Sequence, residues 1–147
     1  MARTPFAAQT RAAVVDLLAD FAASAGIKLQ VYRARPVSIL PPTAFVDGMA
    51  EVVTNLGTDP IRQRLIQTNV IVLHGLFDSG EAVDQRDEFV DAFMDWVSEN
   101  VHAVNGNSIL QTATVEDEPT FTPEWQKPEV QRQYFATRIV LEAFIGD

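Results

Sequence analysis

Residues 79–101 sort their hydrophobic and polar positions at helical period. Turning each residue by about 100° puts Val83, Phe89, Val90, Phe93, Met94, Trp96 and Val97 on one side. Glu81, Asp84, Glu88, Asp91, Asp95 and Glu99 fall on the other, with no Lys or Arg among them. An earlier segment repeats the period: Ala7, Val14, Leu18, Phe21 and Ala22 predict a helix with one buried face. Thr4-Pro5 suits its N-cap and first turn, and Gly26 suits its C′ position. The long acidic helix takes its cap from Asp78 or Ser79.

Between the helices the period drops to two. Residues 28–34 alternate as a half-buried strand, and Arg35-Pro36 ends it. Pro41-Pro42 then leads the chain extended into Ala44-Phe45-Val46, a second strand halted by the turn signal Asp47-Gly48. Residues 49–54 fit a helical turn and a strand equally, and 55–60 read as a loop. From 62 to 74 a long strand is expected, its Val70-Ile71-Val72-Leu73 run buried on both faces and closed by Gly75. After the acidic helix come a turn at Asn105-Gly106-Asn107, a strand over 108–115 and a proline-marked loop over 116–128. The last strand, 133–145, sets Phe135, Ile139, Leu141, Ala143 and Ile145 against Tyr134, Arg138, Glu142 and Phe144. The expected fold is α+β in the order α-β-β-β-α-β-β, with two amphipathic helices on one face of a mainly antiparallel sheet.

At 147 residues and 47% hydrophobic content the chain suits a single domain, 1–147. Segments 48–68 and 116–130 are its candidate arms. There is no cysteine, so disulfides and thiolate-bound zinc are excluded. The apolar stretch 12–25 is broken by Asp16 and Asp20, and no run approaches the ~18 apolar residues of a membrane span. A soluble protein without membrane contact is expected.

Charge adds a polarity that hydropathy does not. Residues 1–40 carry five basic and two acidic groups, whereas residues 78–104 carry eight acidic and one basic. The overall charge of −9 is unsuited to gripping nucleic-acid phosphates. The asymmetry does permit head-to-tail contact between copies. Like charges at i,i+4 cost a few tenths of a kcal/mol per pair, and a one-sign stripe acts on partners more than on the fold.

Motifs for chemistry are sparse. His74 ends an apolar strand and His102 ends the acidic helix, where a cation suits the helix dipole. No Gly-x-Ser-x-Gly elbow, P-loop or dinucleotide fingerprint occurs. Asp84, Glu88, Asp91 and Asp95 stand at i, i+4, i+7 and i+11, but divalent sites draw oxygens from loops or several elements, so one helix face is a weak cation site. No catalytic, metal or cofactor residues are assigned. Phe121 and Trp125 sit in a loop where they either anchor a neighbour or fold back as a lid over the core.

Several segments together carry a likeness: the amphipathic first helix, Val31-Tyr32-Arg33-Ala34-Arg35-Pro36, Pro41-Pro42-Thr43-Ala44-Phe45-Val46-Asp47, Asn69-Val70-Ile71-Val72-Leu73-His74-Gly75, Arg86-Asp87-Glu88-Phe89-Val90-Asp91 and the final strand 134–144. Over nearly the whole chain this order resembles the tail terminator (tail-completion) proteins of long-tailed bacteriophages. The resemblance implies a non-enzymatic hexameric ring, assembled in the host cytoplasm and located in the virion at the head-proximal end of the tail. Such a ring caps the tail tube, joins it to the neck or head-closure protein, and lets DNA pass through its lumen without specific binding. On that expectation Glu81, Asp84, Glu88, Asp91, Asp95 and Glu99 form an acidic lumen or inter-subunit face. Arg33, Arg35, Arg62, Arg64, Phe121 and Trp125 are candidate contacts with other subunits, the neck or the tube. Another head–tail connector ring is the nearest alternative. A cofactor-free α+β enzyme or ligand-binding domain is a further one, and would be favoured by a deep pocket holding a buried Glu142 or a paired Arg138.

Overall fold

The computed structural model describes residues 6–55, 62–77, 80–100, 102–104, 107–113 and 120–146. The expected cap at Thr4-Pro5, the loop at 56–60, the cap at Asp78 or Ser79, the turn at Asn105-Gly106 and the acidic run 116–118 lie outside them. Two helices, α1 (Phe6–Ala25) and α2 (Gly80–Glu99), are joined by seven strands: β1 (Gln30–Tyr32), β2 (Thr43–Asn55), β3 (Arg62–Leu76), β4 (Ala103–Val104), β5 (Asn107–Ala113), β6 (Thr120–Phe121) and β7 (Tyr134–Gly146). With the two-residue β4 and β6 set aside, the order is α-β-β-β-α-β-β, the α+β arrangement that the periodicities predict. The sheet runs β1-β2-β3-β7-β5-β4, with β6 on β7. Every pairing is antiparallel except β1 with β2.

Both helices cover the same face. Val14, Leu17, Leu18 and Phe21 of α1, and Phe89 and Phe93 of α2, pack on Ala44, Val46, Ile66, Val70, Val72, Ile139 and Leu141. Phe21 sits between the helices, edge-on to Phe89, Phe93 and Trp96 at centroid distances of 5.2, 5.1 and 5.5 Å. Gly26 ends α1 with φ 70°. There the Ile27 N–H bonds the Ala22 carbonyl at 2.9 Å and the Gly26 N–H bonds that of Ala23 at 3.4 Å, the paired closure that a left-handed residue allows. On α2, Met94 departs from the expected apolar face: it is 45% exposed. No described helix is long and apolar enough to cross a membrane.

The opposite sheet face carries a smaller core of Phe45, Ile71, Leu73 and Tyr134. Central β3 therefore buries Val70 to Leu73 from both sides, which is why that stretch is continuously apolar.

Two expected strand ends are instead bulges. Asp47-Gly48 does not turn the chain: the register against β3 slips between Val46 and Gly48, and β2 continues to Asn55, which makes 49–54 strand. Likewise Gly75 does not close β3. The register against β7 slips between Leu73 and Gly75, and the strand reaches Leu76. A bulge inserts one residue without ending the pairing, so a turn-like dipeptide in sequence marks a kink here. Within the segment 48–68, residues 48–55 and 62–68 are accordingly paired strand, with β7 alongside β3 as far as Gln63 opposite Gly146.

The second bulge brings β3 against α2. A Cβ on Gly75 would stand 3.0 Å from the Ala82 Cβ, tighter than most packed Cβ contacts, so α2 would have to give by a few tenths of an ångström. Gly75→Ala is expected to cost about 1–3 kcal/mol, read as a lower urea midpoint; an unchanged midpoint would show that α2 yields freely.

Candidate functional site

The acidic face of α2 is fully displayed. Ala82, Phe89 and Phe93 are its buried positions, and Glu81, Asp84, Glu88, Asp91, Asp95 and Glu99 are all exposed. The helix's single basic residue, Arg86, turns aside. Its guanidinium lies over the Phe135 ring at 6.0 Å and 3.5 Å from the Asp87 carboxylate. The stripe thus remains of one sign.

A second surface of opposite sign lies at the β2 edge. Where β1 ends and β2 bulges, Arg11, Arg33 and Arg35 line an open recess of about 340 Å³, floored by Ala34, Val46 and Gly48. Asp47 is the acid among its lining residues, and its Oδ1 accepts a hydrogen bond from Arg35 Nε at 2.9 Å. The Nε of Arg11 is buried with no hydrogen-bond partner among the described residues. Arg33 is exposed. Arg62 and Arg64 lie apart from this recess along β3, where their backbone pairs with Asn55 and Val53; their side chains are outside the description.

Phe121 and Trp125 fold back onto the sheet. Their rings meet Phe45 at 5.9 and 5.4 Å and each other at 5.8 Å. Trp125 Nε1 donates to the Pro36 carbonyl at 2.8 Å, and the Arg35 guanidinium covers its ring at 5.0 Å. These residues close the second core as a lid, so their apolar area is largely used within the molecule. Loop 35–40 is pinned by the same contacts, with Val37 93% exposed. Burial raises the Tyr134 hydroxyl pKa in this core, and the nearby Arg132 opposes it.

The two histidines have structural partners. His102 Nε2 lies 2.9 Å from Asp20 Oδ2, linking the end of α2 to α1. His74, placed by the bulge, packs edge-on to Phe89 at 5.2 Å, with Nε2 2.8 Å from Thr137 Oγ1. Burial, reinforced by the Arg86 charge, lowers its pKa to about 3. It also lines a cavity of about 370 Å³ with Ala25, Ile27, Pro42, Gln85, Glu88, Phe89 and Ala92. No local pattern along the chain signals this cavity, because a bulge and a helix end build it jointly. Neither Glu142 nor Arg138 lines it; Glu142 accepts a hydrogen bond from Gln67 at 3.2 Å. Among the described residues, no group of three or more His, Asp or Glu is placed to hold a metal ion.

In comparisons with known proteins, no family model matches the chain and no curated protein matches it.

Proposed function

We propose that this chain is a non-enzymatic ring subunit of a long-tailed bacteriophage virion. In this reading it is a tail-terminator-like protein whose hexamer caps the tail tube, meets the neck or head-closure protein, and leaves a lumen for DNA. The resemblance over nearly the whole chain supports the reading, as does the agreement of its element order with the observed α+β fold. The observation that carries it is the free edge of β2. Only Thr43, Ala44 and Phe45 of its thirteen residues meet β1, and among the described residues no strand pairs with the remainder from outside. Strands of globular domains typically run about 5–6 residues, and edges are shortened or covered in proteins that remain single. A long free edge suits a subunit that pairs with other chains.

Native mass spectrometry at high concentration, alone and with isolated tail tubes, tests the reading. A ring, or capture on tube ends, is expected. A chain that stays monomeric and leaves the tubes bare contradicts it. Capture at the neck instead of the tube would make it a connector ring of the same kind.

The cavity beside His74 favours a second reading, a small-ligand-binding domain. Its volume lies at the lower end of known ligand pockets, about 300–1,000 Å³, and its lining is largely apolar. Saturable binding of a small apolar ligand by a monomeric chain would favour that reading over the ring.

A further inference from the structure

We propose that copies of this chain meet head to tail, the acidic outer face of α2 in one copy lying against the arginine recess at the β2 edge of the next. The inference rests on the ring reading and names the two surfaces that would build the ring.

The recess is short of acid. Three guanidiniums share one carboxylate, and that carboxylate is paired with Arg35. Among the described residues, no carboxylate lies within ion-pair distance of Arg11 or Arg33. The Arg11 Nε is buried and without a hydrogen-bond partner there. That atom is closed to an incoming group, so the recess side chains a second copy would meet are the exposed Arg33 and Arg35.

The helix has the converse excess. Its six exposed carboxylates repel one another at i,i+4 and find no compensating base on their own face. Asp84, Glu88 and Asp91 span about 10 Å at ~1.5 Å per residue, a row short enough to face one cluster of arginines.

The two surfaces lie on different parts of the molecule. The recess opens at the sheet edge beside β1, whereas the acidic row points away from the sheet, opposite Phe89 and Phe93. A contact between unlike patches is heterologous, so repeating it generates a ring where the rotation closes. Exposed ion pairs contribute little affinity one by one. Their effect here is on orientation, on encounter rate and on salt sensitivity.

Two variants of the full chain test the proposal, each changing the sign of residues on one surface: Asp84→Lys/Asp91→Lys on the helix and Arg33→Glu in the recess. These positions are exposed, so both variants should keep the circular dichroism spectrum and melting temperature of the unmodified chain. The helix variant sets lysines against arginines and the recess variant cancels the net positive charge of the recess, so the self-association of each alone should weaken by about tenfold or more. Mixed together they should reassociate into alternating assemblies, because half of the contacts then restore the original pair of surfaces and the other half set the introduced lysines against the introduced glutamate. The unmodified chain should dissociate as salt is raised. If the unmodified chain assembles and both variants assemble equally well alone, the proposed contact is wrong while the ring reading stands. If folded variants fail to reassociate on mixing, the contact is likewise wrong. A recess that binds duplex DNA, with assembly indifferent to the helix reversal, would assign the arginines to another occupant. An unmodified chain that never assembles, alone or on tail tubes, removes the ring reading and this contact together.

Discussion

Phe21→Ala is expected to lower the stability of the fold by about 3–5 kcal/mol. Phe21 is 1% exposed and touches three aromatic rings of α2 edge-on. Two effects add at this position. The ring's transfer from water is lost, and a cavity opens between two helices whose backbones are held apart by Phe89 and Phe93 on the sheet. The edge-to-face geometry contributes about 0.5–1.5 kcal/mol per pair beyond area. For a domain of this size the fall in melting temperature should be about 10 °C or more. Met94→Ala on the same layer should change it little, since Met94 is 45% exposed. Urea titration of both variants decides: similar losses for the two would mean that the helices do not share the core through Phe21.

The second large effect is a pH dependence centred on His74. Its pKa falls from 6.5 to about 3, through burial first and the Arg86 charge second. The unfolded chain therefore binds a proton on this ring at a pH where the folded chain does not. The folded state keeps its full advantage above about pH 6.5 and loses it as pH falls toward 3. Across that window the loss approaches about 1.4 kcal/mol per pH unit. Contributions common to both chains cancel when a variant is compared with the unmodified chain, so the informative quantity is a difference. His74→Gln retains a hydrogen-bonding group opposite Thr137 and removes the titration. Its stability should fall less steeply with acid than that of the unmodified chain. Parallel curves for the two would show that folding leaves the His74 pKa unshifted.

How far the sequence led can be judged at particular residues. Gly26, the β-branched run in β3 and the alternation of β7 each gave a correct local assignment, because each rests on a backbone or burial rule that tertiary context did not override. Asp47-Gly48 and the Gly75 stop misled for one reason. A bulge and a turn use the same permissive residues, and only the partner strand distinguishes them. The bulge at His74 also sets that side chain under α2, and with it the cavity, which no local pattern encodes. For the candidate surfaces, the acidic row was legible because one helix carries it at fixed period. The recess was not. Arg11 and Arg33 are far apart in sequence and meet only through the packing of α1 beside the β2 edge.

The acidic row and the recess matter to function only if the chain assembles. Negative-stain microscopy of the concentrated chain, alone and added to tail tubes, is the most direct measurement of that. The account predicts closed rings with a central opening wide enough for duplex DNA, free or seated on tube ends. Fields of single particles without an opening, beside uncapped tubes, would contradict it.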